Sequence, residues 1–325
     1  MNDPIATWLT LCPDPATDPI PGMREAGLLT PCPDYAAIAH IKAGLTERTG
    51  LLGVASVWGG RQVTGRHFLG FGNDAQRAEW TGRPLAVAIS EPDVGTHPKL
   101  LTARAVKTAT GYTLDGRKAW VTNGPSADAI VVFAITAPDA GRKRYSAFIV
   151  PNNSAGLTIT DMPGFHALRP SKHCLLTLTA CHVPDSALLG ETGSAYERMA
   201  LPFRDIEDAV GTAGTLGALR HTIGLFAGLP MDRPADQGAI VALTAVFAAG
   251  ARSVVAALDA GQFRTGDATL AGLRVLATEI VARLRPVAPP AATGILDDLD
   301  ATLNIARGPR MARLTHLGTE ASRAS

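Results

Sequence analysis

The feature of this chain that most constrains its fold is the order of its secondary-structure signals. From Leu85 to about Pro184, short β-rich runs such as AIVVFAI and YSAFIV alternate with Gly, Asn, Asp and Pro turns. Turns spaced ~8 to 12 residues apart are typical of a small barrel or sandwich. The preceding region mixes short helical stretches with Pro-rich loops, and the following region shows the Ala/Leu/Val periodicity of long helices.

This order predicts an α+β protein with three domains. We expect a shortened helical domain over residues 1–83, a β-barrel or sandwich over 84–187 and a helical bundle over 188–325. At 325 residues and 46% hydrophobic content, the chain can bury a large core. A net charge of +1 without a basic stripe argues against nucleic-acid binding.

Cysteine and histidine spacing predicts no metal site and no disulfide scaffold. The four cysteines form no CxxC pair, and Cys174 and Cys181 are interpreted as strand residues in a reducing compartment. The N-terminus lacks a basic region followed by an apolar stretch, and no uninterrupted apolar run approaches ~18 residues. We therefore predict no signal peptide, no membrane span and a cytoplasmic location.

Two segments of the β region form the best candidate site. The turn ISEPDVGTHP, residues 89–98, follows an apolar run and offers the hydroxyls of Ser90 and Thr96 beside Gly95. In KAWVTNG, Trp120 and Thr122 are two residues apart and so point to the same side of a strand. An aromatic face beside a hydroxyl suits a planar heteroaromatic ligand. Core packing is the alternative, because Trp and Thr both favour strands.

The block AVAISEPDVGTHPKLLTARAVKTATGYTLDGRKAWVTNG resembles the middle β-domain of the acyl-CoA dehydrogenase family. That family has a (T/S)EPxxGSD turn, where His97 here replaces the Asp, and a strand ending in NGxKxWITNG. The resemblance continues through ALRPSKHCLLTLTACHVPDSALLGETGSAY, and FLGFGNDAQRAEW is similar to the family's FGTEEQK helix. The similar segments run from about residue 50 to 217.

The resemblance implies a flavoprotein that removes an α-proton and a β-hydride from an acyl-CoA thioester. Electrons would pass to FAD and then to an electron-transfer flavoprotein. By position, Ile89 and Ser90 match residues that touch the flavin ring, and Trp120 and Thr122 match residues that flank it. Thr96 stands where a family serine contacts the acyl-CoA.

Two positions of the sequence correspond to the family's catalytic base. Most family members carry a Glu in a YEGTxxIQR-like segment, where LDATLNIARGPRMAR places Arg307, and an arginine stays protonated at any working pH. Other members carry the Glu before an Arg in the first long bundle helix. Glu207 falls there when Gly217 is matched to the family's helix glycine, although Asp208 replaces the Arg. Matching from the VPxxxLLG segment instead shifts the register by one residue. Alternatively, Glu207 is a solvated carboxylate in an acidic cluster with Asp205 and Asp208.

The segments that hold FAD in the family are altered here. Phe226 stands where the family has an Arg that binds the FAD pyrophosphate. Arg233 could replace that Arg only if its loop folds back. The proline-containing RLRPVAPPAATGILDD replaces a Gly-rich loop and offers fewer backbone donors for phosphate.

These departures resemble the short subunit of actinobacterial heteromeric acyl-CoA dehydrogenases associated with steroid degradation. The resemblance implies an α2β2 tetramer with a full-length partner subunit, shared FAD and a bulky CoA thioester substrate. Two alternatives stay open. One is a stand-alone flavoenzyme acting on acyl-CoA or an acyl-carrier protein, and the other is a non-catalytic scaffold subunit that has lost FAD.

Overall fold

The computed structural model describes residues 3–139, 142–162, 164–227, 233–263 and 267–324. Helices precede and follow a single sheet. The helices of the described chain are α1 (Pro4–Leu11), α2 (Tyr35–Thr49), α3 (Leu52–Leu69), α4 (Asp74–Trp80), α5 (Leu201–Gly224), α6 (Pro234–Asp259), α7 (Ala268–Leu284), α8 (Thr293–Asn304) and α9 (Arg307–Ala324). Local signals set several ends: Asp34 caps α2, Asn73 and Gln76 form a capping box on α4, and Gly50 ends α2 with φ +69°.

The sheet contains parallel and antiparallel strands. Its strands are β1 (Leu85–Ala88), β2 (Arg104–Lys107), β3 (Gly111–Thr122), β4 (Ala129–Asp139), β5 (Arg142–Pro151), β6 (Leu157–Asp161), β7 (His173–Pro184) and β8 (Leu188–Leu189). The spatial order is β6-β7-β3-β2-β4-β5-β8, and β1 pairs in parallel with β4. The longest ladders are the antiparallel pairs β3–β7 and β4–β5.

Strand residues of the sheet enclose a hydrophobic core of their own. Leu114, Val132, Phe148 and Cys174 belong to it and are fully buried. The α+β prediction, with helical regions on both sides of a β-domain, is therefore confirmed. Cys174 and Cys181 are buried free thiols in β7, as the sequence indicated.

Helix α3 joins the sheet to the C-terminal bundle. The ring of Phe68 on α3 lies 5.9 Å from that of Phe133 on β4 and 4.7 Å from that of Phe203 on α5, measured between centroids. Aromatic contacts at these separations are favourable. The start of α5 is consequently held against the face of α3 that meets the sheet.

Helix α6 qualifies the prediction of no membrane span. By length and composition alone it is long and apolar enough to cross a membrane. Seven of its residues, Phe247 and Val254 among them, are buried in the bundle. Its outer side exposes further apolar residues, including Val241 and Val246. A helix that packs in a core can pass the same compositional test, so this is weak support for a span.

Candidate active site at the junction of the β-domain and the helices

A buried ion pair joins the predicted turn to the predicted strand. Lys118 Nζ on β3 lies 3.0 Å from Glu91 Oε1 and donates to the Ile89 carbonyl at 3.1 Å. Next to it, Ala119 N donates to the Ser90 carbonyl at 2.9 Å. The side chain of Lys118 is 0% exposed and that of Glu91 is 5% exposed. The backbone of Ile89 and Ser90 is therefore fixed against the strand that carries Trp120.

Hydrogen bonds complete the surroundings of the Glu91 carboxylate. It accepts from the backbone N–H groups of Thr102 and Ala103 at 2.7 and 2.9 Å, and from the Thr102 hydroxyl at 2.8 Å. Burial alone would raise the pKa of Glu91, but the Lys118 charge and these bonds outweigh it and lower the pKa. Burial also lowers the pKa of Lys118, against the attraction of Glu91.

Two tyrosines hold the other end of the turn. Tyr196, in a π-helical turn that leads into α5, donates to the Thr96 carbonyl at 2.8 Å. Tyr145 on β5 donates to the carbonyl of Pro98. The two tyrosine rings lie 5.3 Å apart. Thr96 thus stands beside the entrance to α5, and its backbone rather than its hydroxyl makes the recorded contact.

Trp120 is both exposed and unusual in conformation. Its φ is +59°, in a β-bulge of the β3–β7 ladder between Lys118 and Val121, and 44% of its surface is exposed. A bulky residue at positive φ is an outlier that points to a functional constraint. Val121, which follows, is fully buried, whereas Thr122 is again partly exposed. Trp120 and Thr122 therefore both lie away from the core of the β-domain.

An aromatic cluster surrounds Trp120. Its ring centroid lies 5.3 Å from that of Phe165 and 6.3 Å from that of His173. Burial, aided by the charge of Arg169, lowers the pKa of His173 to about 4, so the imidazole is neutral at pH 7. His173 Nδ1 is buried and has no hydrogen-bond partner in the described part of the chain. It leaves one polar atom beside an exposed aromatic face.

Polar side chains tie the end of β3 to α3. Asn123, with φ +59°, donates through Nδ2 to the Ser56 carbonyl at 3.4 Å. The Ser171 hydroxyl donates to Asn123 Oδ1 at 3.2 Å, and the Ser56 hydroxyl donates to Ser171 Oγ at 3.3 Å. Gly53 allows the same loop to approach, because an added Cβ would lie 2.1 Å from the carbonyl oxygens of Leu168 and Arg169.

Glu207 lies on α5 and faces Lys42 of α2. Surrounding protein raises the pKa of Glu207 to about 7 through desolvation, Asp208 adds repulsion, and Lys42 opposes both. The Glu207 side chain keeps an exposed surface, and it forms no hydrogen bond or ion pair with the described residues. It thus lies at the surface of α5 rather than in the core, with Lys42 of α2 close enough to affect its charge. A carboxylate with a pKa near neutrality suits general-base catalysis.

The rest of the predicted acidic cluster faces elsewhere. Asp205, 3% exposed at its side chain, pairs with Arg313 at 3.1 Å, and Asp208 pairs with Arg310 at 3.1 Å. Arg274 on α7 also approaches Asp208, at 3.5 Å. Two members of the cluster thus hold α7 and α9 to α5, whereas Glu207 itself is exposed, as its interpretation as a solvated carboxylate also predicts.

Arg307, which occupies the alternative base position, is exposed on the first turn of α9. Three residues further on, Arg310 pairs with Asp208, which neighbours Glu207 in the chain. The segment in which most family members carry the base thus packs near Glu207, but it supplies arginines. Phe226 is partly buried in the bundle, and Arg233 pairs with Asp236 at 3.1 Å.

Some of the predicted residues lie on segments that contact each other directly, and others lie on helices that contact α3. Ile89 and Ser90 contact the strand segment of Trp120 and Thr122 through Lys118 and Ala119. Lys42 of α2 lies against Gly59 of α3 and Gly214 of α5, the helix that carries Glu207, and α3 meets the end of β3 through Ser56. Sequence reasoning missed Lys42, Glu91, Lys118 and His173 as site residues. Of these, only Glu91 and Lys118 carried a signal in the sequence, namely an acid in the turn and a lysine in the strand segment.

One cavity lies apart from these residues. It has a volume of about 270 Å³ and is lined by four arginines, Arg61, Arg66, Arg77 and Arg83, together with Trp58, Leu69 and neighbours. Arg83 pairs with Asp128, and Arg77 with Asp74. None of the predicted site residues lines this cavity, so its size does not identify the site.

Comparison with known proteins agrees with the geometry. Residues 86–181 match the family model described as acyl-CoA dehydrogenase, middle domain. Over 152 residues the chain is 36% identical to the mitochondrial isovaleryl-CoA dehydrogenase of Oryza sativa subsp. japonica, covering 47% of this chain and 36% of that protein. The middle domain of the chain belongs to the acyl-CoA dehydrogenase family.

Solved structures of family members show the same fold over most of the chain. The structure is similar to butyryl-CoA dehydrogenase from Megasphaera elsdenii, with a TM-score of 0.77, 20% identity and coverage of 89% of this chain and 82% of that one. It is also similar to a glutaryl-CoA dehydrogenase from Mycobacterium smegmatis in complex with FADH2, with a TM-score of 0.69, 20% identity and coverage of 82% and 74%. In sequence, however, the match spans only 36% of the length of the rice relative.

Proposed function

We propose that this chain takes part in the FAD-dependent α,β-dehydrogenation of an acyl-CoA thioester, with Glu207 as the base. The single observation that carries this proposal is the state of Glu207, which is exposed on α5, forms no hydrogen bond or ion pair with the described residues and has its pKa raised to about 7. An α-proton is weakly acidic, and its removal needs a positioned carboxylate that is ionised at working pH. Family membership supplies the reaction class.

The residues at the end of β3 fit a flavin ring. Trp120 presents an exposed aromatic face, and the fixed backbone of Ile89 and Ser90 lies on the adjoining strand. The neutral His173 and Phe165 support the Trp120 ring from behind, with centroids 6.3 and 5.3 Å away. Trp120 and Thr122 would orient the flavin ring, which when bound would supply the acceptor for the β-hydride. Thr96 would meet the thioester side of the cavity.

Trp120→Gly tests this flavin face. Glycine accepts φ +59° without strain, which offsets part of the lost contact with Phe165 and His173, so we expect the variant to fold with a modest loss of stability. Loss of roughly 1.4 kcal/mol of stacking should weaken FAD binding about tenfold. FAD fluorescence quenching and thermal melting measure the two effects. Val106→Ala, at an exposed apolar position on β2, should change neither, and unaltered FAD affinity in Trp120→Gly would refute the assignment.

This chain does not show the residues that would bind the FAD pyrophosphate. Arg233 is engaged by Asp236, and Phe226 cannot bind phosphate. Each missing charge-assisted bond would remove roughly 1.5–3 kcal/mol of affinity. We therefore favour a heteromeric enzyme in which a full-length partner subunit shares the FAD, in an α2β2 arrangement. Electron-transfer flavoprotein as acceptor, a cytoplasmic location and a bulky, steroid-like acyl group remain parts of the same proposal.

The outer face of α6 supports assembly with another subunit. Val246 is 62% exposed and Val241 is 51% exposed, and exposed alanines continue the same face. An apolar helix face of this kind marks an interaction surface. Val246→Glu should therefore dissociate the assembly, which light scattering on a size-exclusion column would detect. Leu11→Glu, at an exposed position on α1, is the matched control, and an intact Val246→Glu assembly would exclude this face as the interface.

Expression alone and with a full-length partner separates the heteromer from its two alternatives. The heteromer requires flavin absorbance only in the co-expressed complex. A yellow, active protein made alone would show the stand-alone enzyme instead, acting on acyl-CoA or an acyl-carrier protein. A colourless complex would show a scaffold subunit without FAD.

A further inference from the structure

A lysine outside the matched β-domain lies against α5, the helix that carries Glu207. Lys42, on α2, extends between α3 and α5 through a gap that two glycines leave open. A Cβ at Gly59 of α3 would lie 3.2 Å from Lys42 Cδ, and a Cβ at Gly214 of α5 would lie 3.3 Å from Lys42 Cε. Both distances are tighter than ordinary carbon contacts of ~3.5–4.0 Å. The positions of Gly59 and Gly214 thus fix the path of the Lys42 side chain between α3 and α5.

The Lys42 ammonium has no bonded partner within the described ranges. It forms neither a hydrogen bond nor an ion pair there, and the side chain is half-buried. Burial lowers the pKa of Lys42, and its attraction to Glu207 opposes that change. Placing an ammonium in a desolvated gap without a close acceptor costs free energy unless a nearby opposite charge compensates. Glu207 is the carboxylate with which it interacts.

The other charged groups around Glu207 are engaged differently. On α5, Asp208 pairs with Arg310 of α9 and Arg274 of α7, and Asp205 pairs with Arg313 of α9. Arg204 interacts with Tyr196. From α3, the residue beside Lys42 is Gly59, which carries no charge. Asp208 repels Glu207, and Lys42 provides the opposing attraction from α2.

The geometry points to Lys42, whose stem lies against Gly214 two turns along α5 from Glu207, as a positioning residue that keeps the Glu207 carboxylate ionised for proton abstraction. This inference rests on the proposed function. In the step concerned, the α-C–H bond breaks, its proton passes to a Glu207 oxygen, and the β-hydride leaves to the flavin. Lys42 exchanges no proton and forms no bond to the substrate. Its charge favours the carboxylate before the transfer.

The test compares Lys42→Met with Lys42→Arg. Methionine keeps an unbranched apolar stem without charge, and arginine keeps the charge. We expect the acid limb of the kcat/KM pH profile, near pH 7 in the wild type, to move up by roughly 1 unit in Lys42→Met. At pH 6 this shift lowers kcat/KM about tenfold, whereas the rates converge above pH 9. Lys42→Arg should restore the wild-type limb.

A second readout needs no flavin and no turnover. Carbon NMR of protein labelled at glutamate side-chain carboxyls, with Glu207→Gln to assign the resonance, reports the titration of Glu207 directly. Its midpoint should rise in Lys42→Met. It should also rise in Gly214→Ala, because the added methyl displaces the lysine stem. Gly211→Ala, on the same helix with open space around it, is the matched control and should leave the midpoint unchanged.

The two readouts distinguish the possible failures. A Glu207 midpoint that is the same in wild type, Lys42→Met and Gly214→Ala overturns the role of Lys42, even if Glu207→Gln abolishes turnover. A raised midpoint together with full activity of Glu207→Gln supports the pairing but refutes the proposed base. If Lys42→Met does not fold, Gly214→Ala decides the question with the lysine still present.

Discussion

Glu207→Gln is expected to reduce the turnover number of the flavin-loaded enzyme about 10³-fold with an acyl-CoA substrate, while the KM changes little. The amide keeps the shape of the carboxylate but cannot accept the α-proton, and general-base catalysis contributes ~10²–10⁴-fold. Exchange of the substrate α-hydrogen with deuterated water should disappear to the same extent. Steady-state assays with an electron acceptor and NMR of the recovered thioester measure the two effects.

Stability measurements separate this loss from unfolding. The folded pKa of Glu207 is raised from 4.5 to about 7, so the folded chain holds a proton that the unfolded chain has lost between these values. Its contribution to stability therefore falls as pH rises through that window. Glu207→Gln should melt no lower than the wild type at pH 8. Glu279→Gln, at an exposed ion pair on α7, should retain full activity. Undiminished α-hydrogen exchange in Glu207→Gln would contradict the assignment.

Glu91→Ala is expected to lower the free energy of unfolding by about 3–5 kcal/mol. Removal of the carboxylate leaves the Lys118 ammonium buried with the Ile89 carbonyl as its remaining recorded acceptor, and an uncompensated buried charge is strongly destabilising. The N–H groups of Thr102 and Ala103 also lose their acceptor. Urea denaturation followed by circular dichroism measures the difference, and FAD affinity should fall because Ile89 and Ser90 are no longer fixed.

The pH dependence provides a check on the Glu91 prediction. The folded pKa of Glu91 is lowered from 4.5, so its stabilising contribution is complete above that value and is lost as pH falls through the folded pKa. The stability difference between wild type and Glu91→Gln should therefore shrink in acid. Asp185→Asn, which breaks an exposed pair with Lys107, should cost less than about 1 kcal/mol. An equally small effect of Glu91→Ala would refute the role of the buried pair.

The sequence allowed the β-domain and one face of the site to be predicted because their signals are local. The turn at residues 89–98 and the strand segment around Trp120 each carry their own motif, and the structure joins them through Lys118 and Ala119. The bulge at Trp120 was not readable, because alternation between Trp120 and Thr122 looks the same in a regular strand. The pairing of Glu91 with Lys118 depends on tertiary contact across 27 residues.

The helical half of the site could not be predicted because helix packing decides it. Asp205 and Asp208 are three residues apart and share a helix face, whereas Glu207 points to another, so one acidic run divides between two roles. Nothing local connects Lys42 with Glu207, which lie 165 positions apart in the sequence. Over 89% of its length the chain keeps the fold of butyryl-CoA dehydrogenase from Megasphaera elsdenii with a TM-score of 0.77 at 20% identity, because apolar patterning survives when individual residues change.

The most direct test of the central claim is anaerobic mixing of an acyl-CoA series with the flavin-loaded protein, alone or with its partner, while flavin absorbance is recorded. We predict loss of the oxidised-flavin absorbance with wild type, formation of an equivalent amount of enoyl-CoA, and neither change with Glu207→Gln. A flavin that stays oxidised in wild type with every acyl-CoA, or that is reduced as fast in Glu207→Gln, would contradict the proposed reaction of this chain.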